Sequence, residues 1–220
     1  MASTDIARPP ALQARSKETQ QKILNAVLEI LAKSGSESLS TAVVSEAAEV
    51  SVGSIYRRFG SKQQLLLAAQ AEFLRRFIAD STRRLLTPSV DDRIRTPPQA
   101  FAHAVEAHMH TFRDHARTIR VLMLLGLQSP DIFEAGREGS HEGGRRYARF
   151  MLEHRTAIRR PDPELAVDCT FRLVYAACSH RIIQGSDLES DRALVWDELV
   201  DETAEMVCAY LLTPRWLIQD

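Results

Sequence analysis

The stretch from Ser40 to Gln64, STAVVSEAAEVSVGSIYRRFGSKQQ, constrains the fold more than any other part of this chain. Ser40 suits a helix cap, and Val43, Val44, Ala47 and Ala48 behind it predict a short helix with an apolar inner face. Glu49-Val50-Ser51 supplies a turn. Val52 to Phe59 predicts a second short helix, which Gly60 stops. Ser61 opens a third, with Gln64 three residues on as its capping-box partner. Two short helices joined by a tight turn make a helix-turn-helix.

The second helix of the pair is built to be met from outside. Ile55 and Phe59 share one face and pack inward. Val52, Gly53, Ser54, Tyr56, Arg57 and Arg58 are left on or near the surface. A recognition helix lays its N-terminal residues against base edges in the major groove. Small residues let the backbone approach, and flanking hydroxyls and cations suit phosphate oxygens. A Tyr-Arg-Arg run alone would read as a solvated helix. The spacing of cap, turn, stop and second cap favours DNA binding.

The segment from Lys22 to Leu66 resembles the N-terminal domain of the TetR family of bacterial transcriptional repressors. The resemblance lies in Ile23-Leu24, Ala26 and Gly35, then Ser40-Thr41, Ala48 and Val50-Ser51. Tyr56, Phe59, Ser61-Lys62 and Leu65-Leu66 follow at the family's spacing without gaps. It implies that the hydroxyls of Ser40 and Thr41, with Tyr56 and Lys62, hold phosphates. It places Val52, Gly53, Ser54, Arg57 and Arg58 against bases or nearby phosphates. Glu49 departs from the pattern: the family usually has Gly there, at a position that typically takes positive φ. A residue with a Cβ takes that conformation at a cost of roughly 1 kcal/mol, so the substitution bears on the shape of the turn.

The whole chain is long enough, at 220 residues and 45% hydrophobic, to bury a sizeable core. Net charge of −1 does not advertise nucleic acid, but all four lysines (Lys17, Lys22, Lys33 and Lys62) lie in the first 62 residues. That asymmetry supports a DNA-facing end. The N-terminus has no apolar signal core, and no apolar run reaches membrane-spanning length. Cys169, Cys178 and Cys208 are scattered in apolar surroundings without metal or redox spacing, which suits reduced core thiols. The expectation is a cytoplasmic protein that does not contact the membrane.

Residues 1–15 read as a flexible tail, with Arg8 and Arg15 as candidate minor-groove contacts. A first helix is expected from Ser16 to Ser34, and a helix from Ser61 to about Leu86 links head to body. Thr87 to Pro98 reads as a linker. Amphipathic runs then predict helices at Gln99–His115, Ala116–Gln128, Ser129–Ile158, Pro163–Gln184 and residues 191–212. The fold class is therefore all-α. A three-helix DNA-binding domain (16–62) precedes a larger helical domain for effector binding and dimerisation (63–220).

In the helix from Pro163, Leu165, Cys169 and Leu173 line one face, while Val167, Phe171, Val174, Cys178 and Ile182 line another. A helix apolar on two faces is buried on two sides. This points to a homodimer through 163–184 and 191–212, with Phe171, Val174 and Leu199 expected between subunits. The TetR resemblance implies dimerisation through the last two helices as well.

Candidate effector-pocket liners are Phe101, Met109, Phe112, Leu122, Met123, Phe133, Tyr147, Phe150, Phe171 and Tyr175. Their apolar character suits a small hydrophobic or aromatic molecule. His103, His108, His110 and His115 lie on one helix without the i, i+4 pairing that grips zinc, and read as surface or pocket-lining residues. Four of the nine glycines fall within 136–144. They suit close helix packing or, as a sharper reading, a gate beside the pocket. No metal or cofactor is expected. The sequence thus predicts a repressor that binds double-stranded operator DNA and is released by a small molecule. A helical enzyme with an incidental helix-turn-helix would need a nucleophile–base pair or a metal cluster, and neither is found. A DNA-binding protein without a small ligand is the remaining alternative.

Overall fold

The computed structural model describes residues 10–87 and 96–214. Among them every regular element is helical: α1 (Pro10–Ser34), α2 (Thr41–Ala47), α3 (Val52–Phe59), α4 (Lys62–Leu86), α5 (Pro97–Asp114), α6 (Ala116–Gly126), α7 (Pro130–Leu152), α8 (Pro163–Gln184) and α9 (Trp196–Leu212). The chain divides into two compact units, one through Phe73 and one from Leu74 onward. The division falls inside α4, later than the expected boundary at 62–63. Leu65, Ala69 and Phe73, in the first half of α4, are buried, and Gln21 of α1 donates to Glu72 at 3.0 Å.

In the first unit Ile23, Val27 and Leu31 of α1 are fully buried. They recur at helical spacing along its inner face, while Ile30 is only half-buried. The helix begins at Pro10 rather than Ser16, with proline in the first turn, where its missing N–H costs nothing. Arg15 is an exposed residue of α1, while Arg8 and most of the expected linker lie outside the described residues.

The second unit is a bundle in which α5 packs on α9 and on α8, and α7 packs on α6 and α8. Phe101, Val105, Met109 and Phe112 of α5 are buried along one stripe. Proline stands in the first turn of α5, α7 and α8, and Asp162 caps α8 by accepting from Leu165 N at 2.9 Å. α7 stops at Leu152, short of the expected Ile158. The chain instead makes a single 3-10 turn at Arg155–Ala157, and Arg159 N donates to Leu211 O at 2.7 Å. α9 starts at Trp196, not 191. The buried Arg181 claims Leu194 O at 2.9 Å and pairs with Glu189, which holds that approach segment out of helix.

The glycine-rich stretch runs as unbroken helix within α7. A Cβ at Gly139 would lie 2.8 Å from Leu74 Cδ2, and one at Gly144 would lie 2.9 Å from Phe171 Cε1. Close packing therefore accounts for these two glycines. No helix among the described residues is long and apolar enough to cross a membrane.

Candidate DNA-binding surface and ring cluster

The helix-turn-helix is fixed by three serine caps. Ser40 Oγ accepts from Val43 N at 3.2 Å, Ser51 Oγ from Ser54 N at 3.1 Å, and Ser61 Oγ from Gln64 N at 3.1 Å. The Gln64 half of the expected capping box is replaced by backbone, because Ser61 N donates to Phe59 O at 2.9 Å. Gly60 ends α3 with φ 77°.

The turn between α2 and α3 keeps its shape despite Glu49. Glu49 N donates to Glu46 O at 3.2 Å and Val50 N to Ser45 O at 3.0 Å. These are the paired bonds of a Schellman motif, whose C′ residue sits in the left-handed region. Glu49 occupies that position with φ 54°.

Ile55 is buried and Phe59 half-buried beneath α3. Val52, Gly53, Tyr56 and Arg57 are exposed, as are Ser40 and Lys62; Thr41 and Ser54 are half-buried. Arg58 differs from the rest. Its Nη1 donates to Ser16 O at 2.8 Å and to Ser16 Oγ at 2.9 Å. The guanidinium therefore braces α1 against the recognition helix instead of standing free beside Arg57. A partner 42 residues away leaves no trace in local spacing. A Cβ placed on Gly53 would meet only Ser51 Oγ, at 4.0 Å.

In the second unit the expected pocket liners separate into groups. Phe112, Tyr147, Phe171 and Tyr175 come together around His108. The ring centroid of His108 lies 4.8 Å from that of Phe112, 5.3 Å from Phe171 and 6.3 Å from Tyr147. Tyr175 meets Phe112 edge-on at 5.5 Å and lies tilted against Phe171 at 6.1 Å, and Phe77 of α4 meets Phe112 edge-on at 5.4 Å. Tyr147 Oη lies 3.4 Å from Thr170 Oγ1. His108 is buried, and its Nε2 has no hydrogen-bond partner. Burial pushes its imidazole down to about 4, so it is neutral at physiological pH.

The other candidates lie elsewhere. Phe101 meets His154 edge-on, and Phe150 meets His103. Met109 and Leu122 are buried, Met123 is half-buried, and Phe133 is 58% exposed at the start of α7. Phe133 carries too much open surface to line a closed pocket within one subunit. The sequence reading names His108 only as one of four histidines; its place four residues before Phe112, on the apolar stripe of α5, is the signal that separates it from the other three.

The two apolar faces of α8 also separate. Val167, Val174 and Cys178 are fully buried within the subunit, while Leu165 and Leu173 are 58% and 71% exposed. The expectation that Val174 faces a partner is thus overturned: it belongs to the subunit's own core. Burial pushes the Cys178 thiol up to about 12, which leaves it an inert core thiol. Among the described residues no three His, Cys, Asp or Glu side chains are grouped to hold a metal ion.

Residues 23–69 match the family model of bacterial regulatory proteins, tetR family. The transcriptional repressor KstR of Mycolicibacterium smegmatis is 39% identical over 70 residues, which are 32% of this chain and 34% of that protein. The match spans about a third of that repressor's length. A TetR transcription regulator from Haloarcula marismortui has a similar fold, with a TM-score of 0.68 at 13% identity over 90% of this chain and all of that one. A protein from Saccharomonospora viridis solved in complex with choline gives a TM-score of 0.68 at 14% identity, covering 90% of this chain and 99% of that one.

Proposed function

We propose, from the match of residues 23–69 to the tetR family of bacterial regulatory proteins, that this chain is a repressor which binds operator DNA as a homodimer and is released by a small, largely apolar effector. The observation that carries the DNA-binding reading is Gly53. A glycine inside a helix costs up to about 1 kcal/mol against alanine, yet nothing within the subunit occupies the space its side chain would fill. Backbone kept bare on an exposed recognition helix suits close approach to DNA. Tyr56, Lys62, Ser40 and Thr41 are assigned to phosphates. Arg57 is assigned to a base edge or groove rim, beside Val52 and Ser54. Arg58 supports the helix from behind.

Dimerisation is assigned to the outward stripe of α8, Leu165, Cys169 and Leu173, together with Met206 of α9, which is 61% exposed. Two such helices from each subunit form a four-helix interface around a two-fold axis. The effector is assigned to the second unit. Its signal would reach the head through α4, whose second half is tied to the body: Arg84 pairs with Asp114 and His115 Nε2 lies 3.4 Å from Asp80. An effector that prefers a different dimer geometry lowers operator affinity, and operator lowers effector affinity by the same factor.

The test is selection of bound fragments from a genomic DNA pool, followed by binding to the selected operator. Lys62→Ala should weaken all sequences alike and reduce the salt slope by roughly one counterion. Failure to enrich any fragment over random DNA would refute the reading.

A further inference from the structure

We infer that the ring cluster around His108 is a ligand site, and that it takes an uncharged, mainly apolar molecule whose one hydroxyl or carbonyl group bonds to His108 Nε2. The regulatory meaning of this site rests on the effector reading above; the site itself rests on geometry. His108 stands on a stripe of α5 otherwise filled by Phe101, Val105, Met109 and Phe112, where an apolar side chain would complete the core without penalty. An imidazole there leaves Nε2 buried and unbonded. Buried polar atoms nearly always have partners, and a standing exception points to an absent one. The rings against it, Phe112, Tyr147 and Phe171, offer nothing to fill that role. The Tyr147 hydroxyl is turned to Thr170.

The class of ligand follows from the same surroundings. A neutral imidazole has one donor and one acceptor nitrogen, exchanged by tautomer, so Nε2 can accept from a hydroxyl or donate to a carbonyl. The aromatic rings packed around His108 favour a flat apolar body. A full charge placed among them would be desolvated without a counter-charge. Entry is assigned to Phe171. Of the three rings touching His108 it alone is not buried, and Gly144, by lacking a Cβ, gives its ring edge a seat on α7.

The test uses the full chain and three probes on one skeleton: naphthalene, 2-naphthol and 2-naphthoate. Calorimetry should show 2-naphthol binding roughly 5- to 10-fold more tightly than naphthalene, the value of one neutral hydrogen bond. His108→Phe should erase that preference while keeping naphthalene binding, and 2-naphthol should shift the 15N resonance of His108 Nε2. Equal affinities in the wild type, a preference that survives in His108→Phe, tightest binding of 2-naphthoate, or no binding of any probe would each overturn the inference. Release of the selected operator is measured in parallel. A 2-naphthol preference without operator release leaves the site standing and refutes the effector reading. Operator release by an agent that binds equally well to His108→Phe does the reverse.

Discussion

Glu49 holds a backbone conformation that glycine would hold at lower cost. Left-handed φ penalises a Cβ-bearing residue by about 1–2 kcal/mol, partly offset by the entropy glycine loses on folding. Glu49→Gly should therefore stabilise the first unit by about 0.5–1 kcal/mol in urea unfolding. By removing a negative charge beside the recognition helix it should also tighten operator binding at low salt. Gly53→Ala should separate the two properties. It raises helix stability by up to about 1 kcal/mol, while its new methyl group weakens operator binding; a variant that gains stability and binds operator as well as the wild type would remove Gly53 from the interface. These residues were legible because each shows its role in local spacing. Arg58 was not, since its role depends on Ser16 in another helix, and sequence spacing treats Arg57 and Arg58 alike.

The helices themselves were read with most success where an end carries its own chemistry. Ser40, Ser61 and Asp162 each accept the backbone bond that their positions implied, and Ser51, read as a turn residue, caps α3 as well. Ends set by distant contacts were misplaced, as at α9, where Arg181 fixes the segment before Trp196. α8 shows the same limit in another form. Its two apolar faces were visible from period alone, but which one belongs to the core is decided by α5 and α7, which pack against it. Two substitutions at adjacent positions test the outcome. Leu173→Asp should yield a folded monomer with little operator affinity, as seen by sedimentation and circular dichroism. Val174→Asp, which buries a charge in a fully enclosed site, should instead unfold the body. A Leu173→Asp protein that remains dimeric would move the interface off this face.

Across the whole molecule, His108 makes stability depend on pH. Its folded-state value near 4 lies below the ordinary 6.5, so the unfolded chain binds more protons between those values. Stability is full above about pH 6.5 and falls as pH drops towards about 4, by roughly 3 kcal/mol. Glu189, held below the ordinary carboxylate range by Arg181, gives up its contribution only at lower pH. Urea midpoints at pH 7 and pH 4.5 should differ strongly in the wild type and much less in His108→Phe. Charge type is also distributed by unit, since no lysine follows Lys62 and Lys17, Lys22, Lys33 and Lys62 are all exposed. Amine-selective acylation of side chains can therefore modify only the first unit. An acyl donor would silence the DNA-facing end and leave the ring cluster chemically untouched. A lysine-specific protease, finding no cleavage site beyond the first turn of α4, would deliver the body as a single uncut fragment.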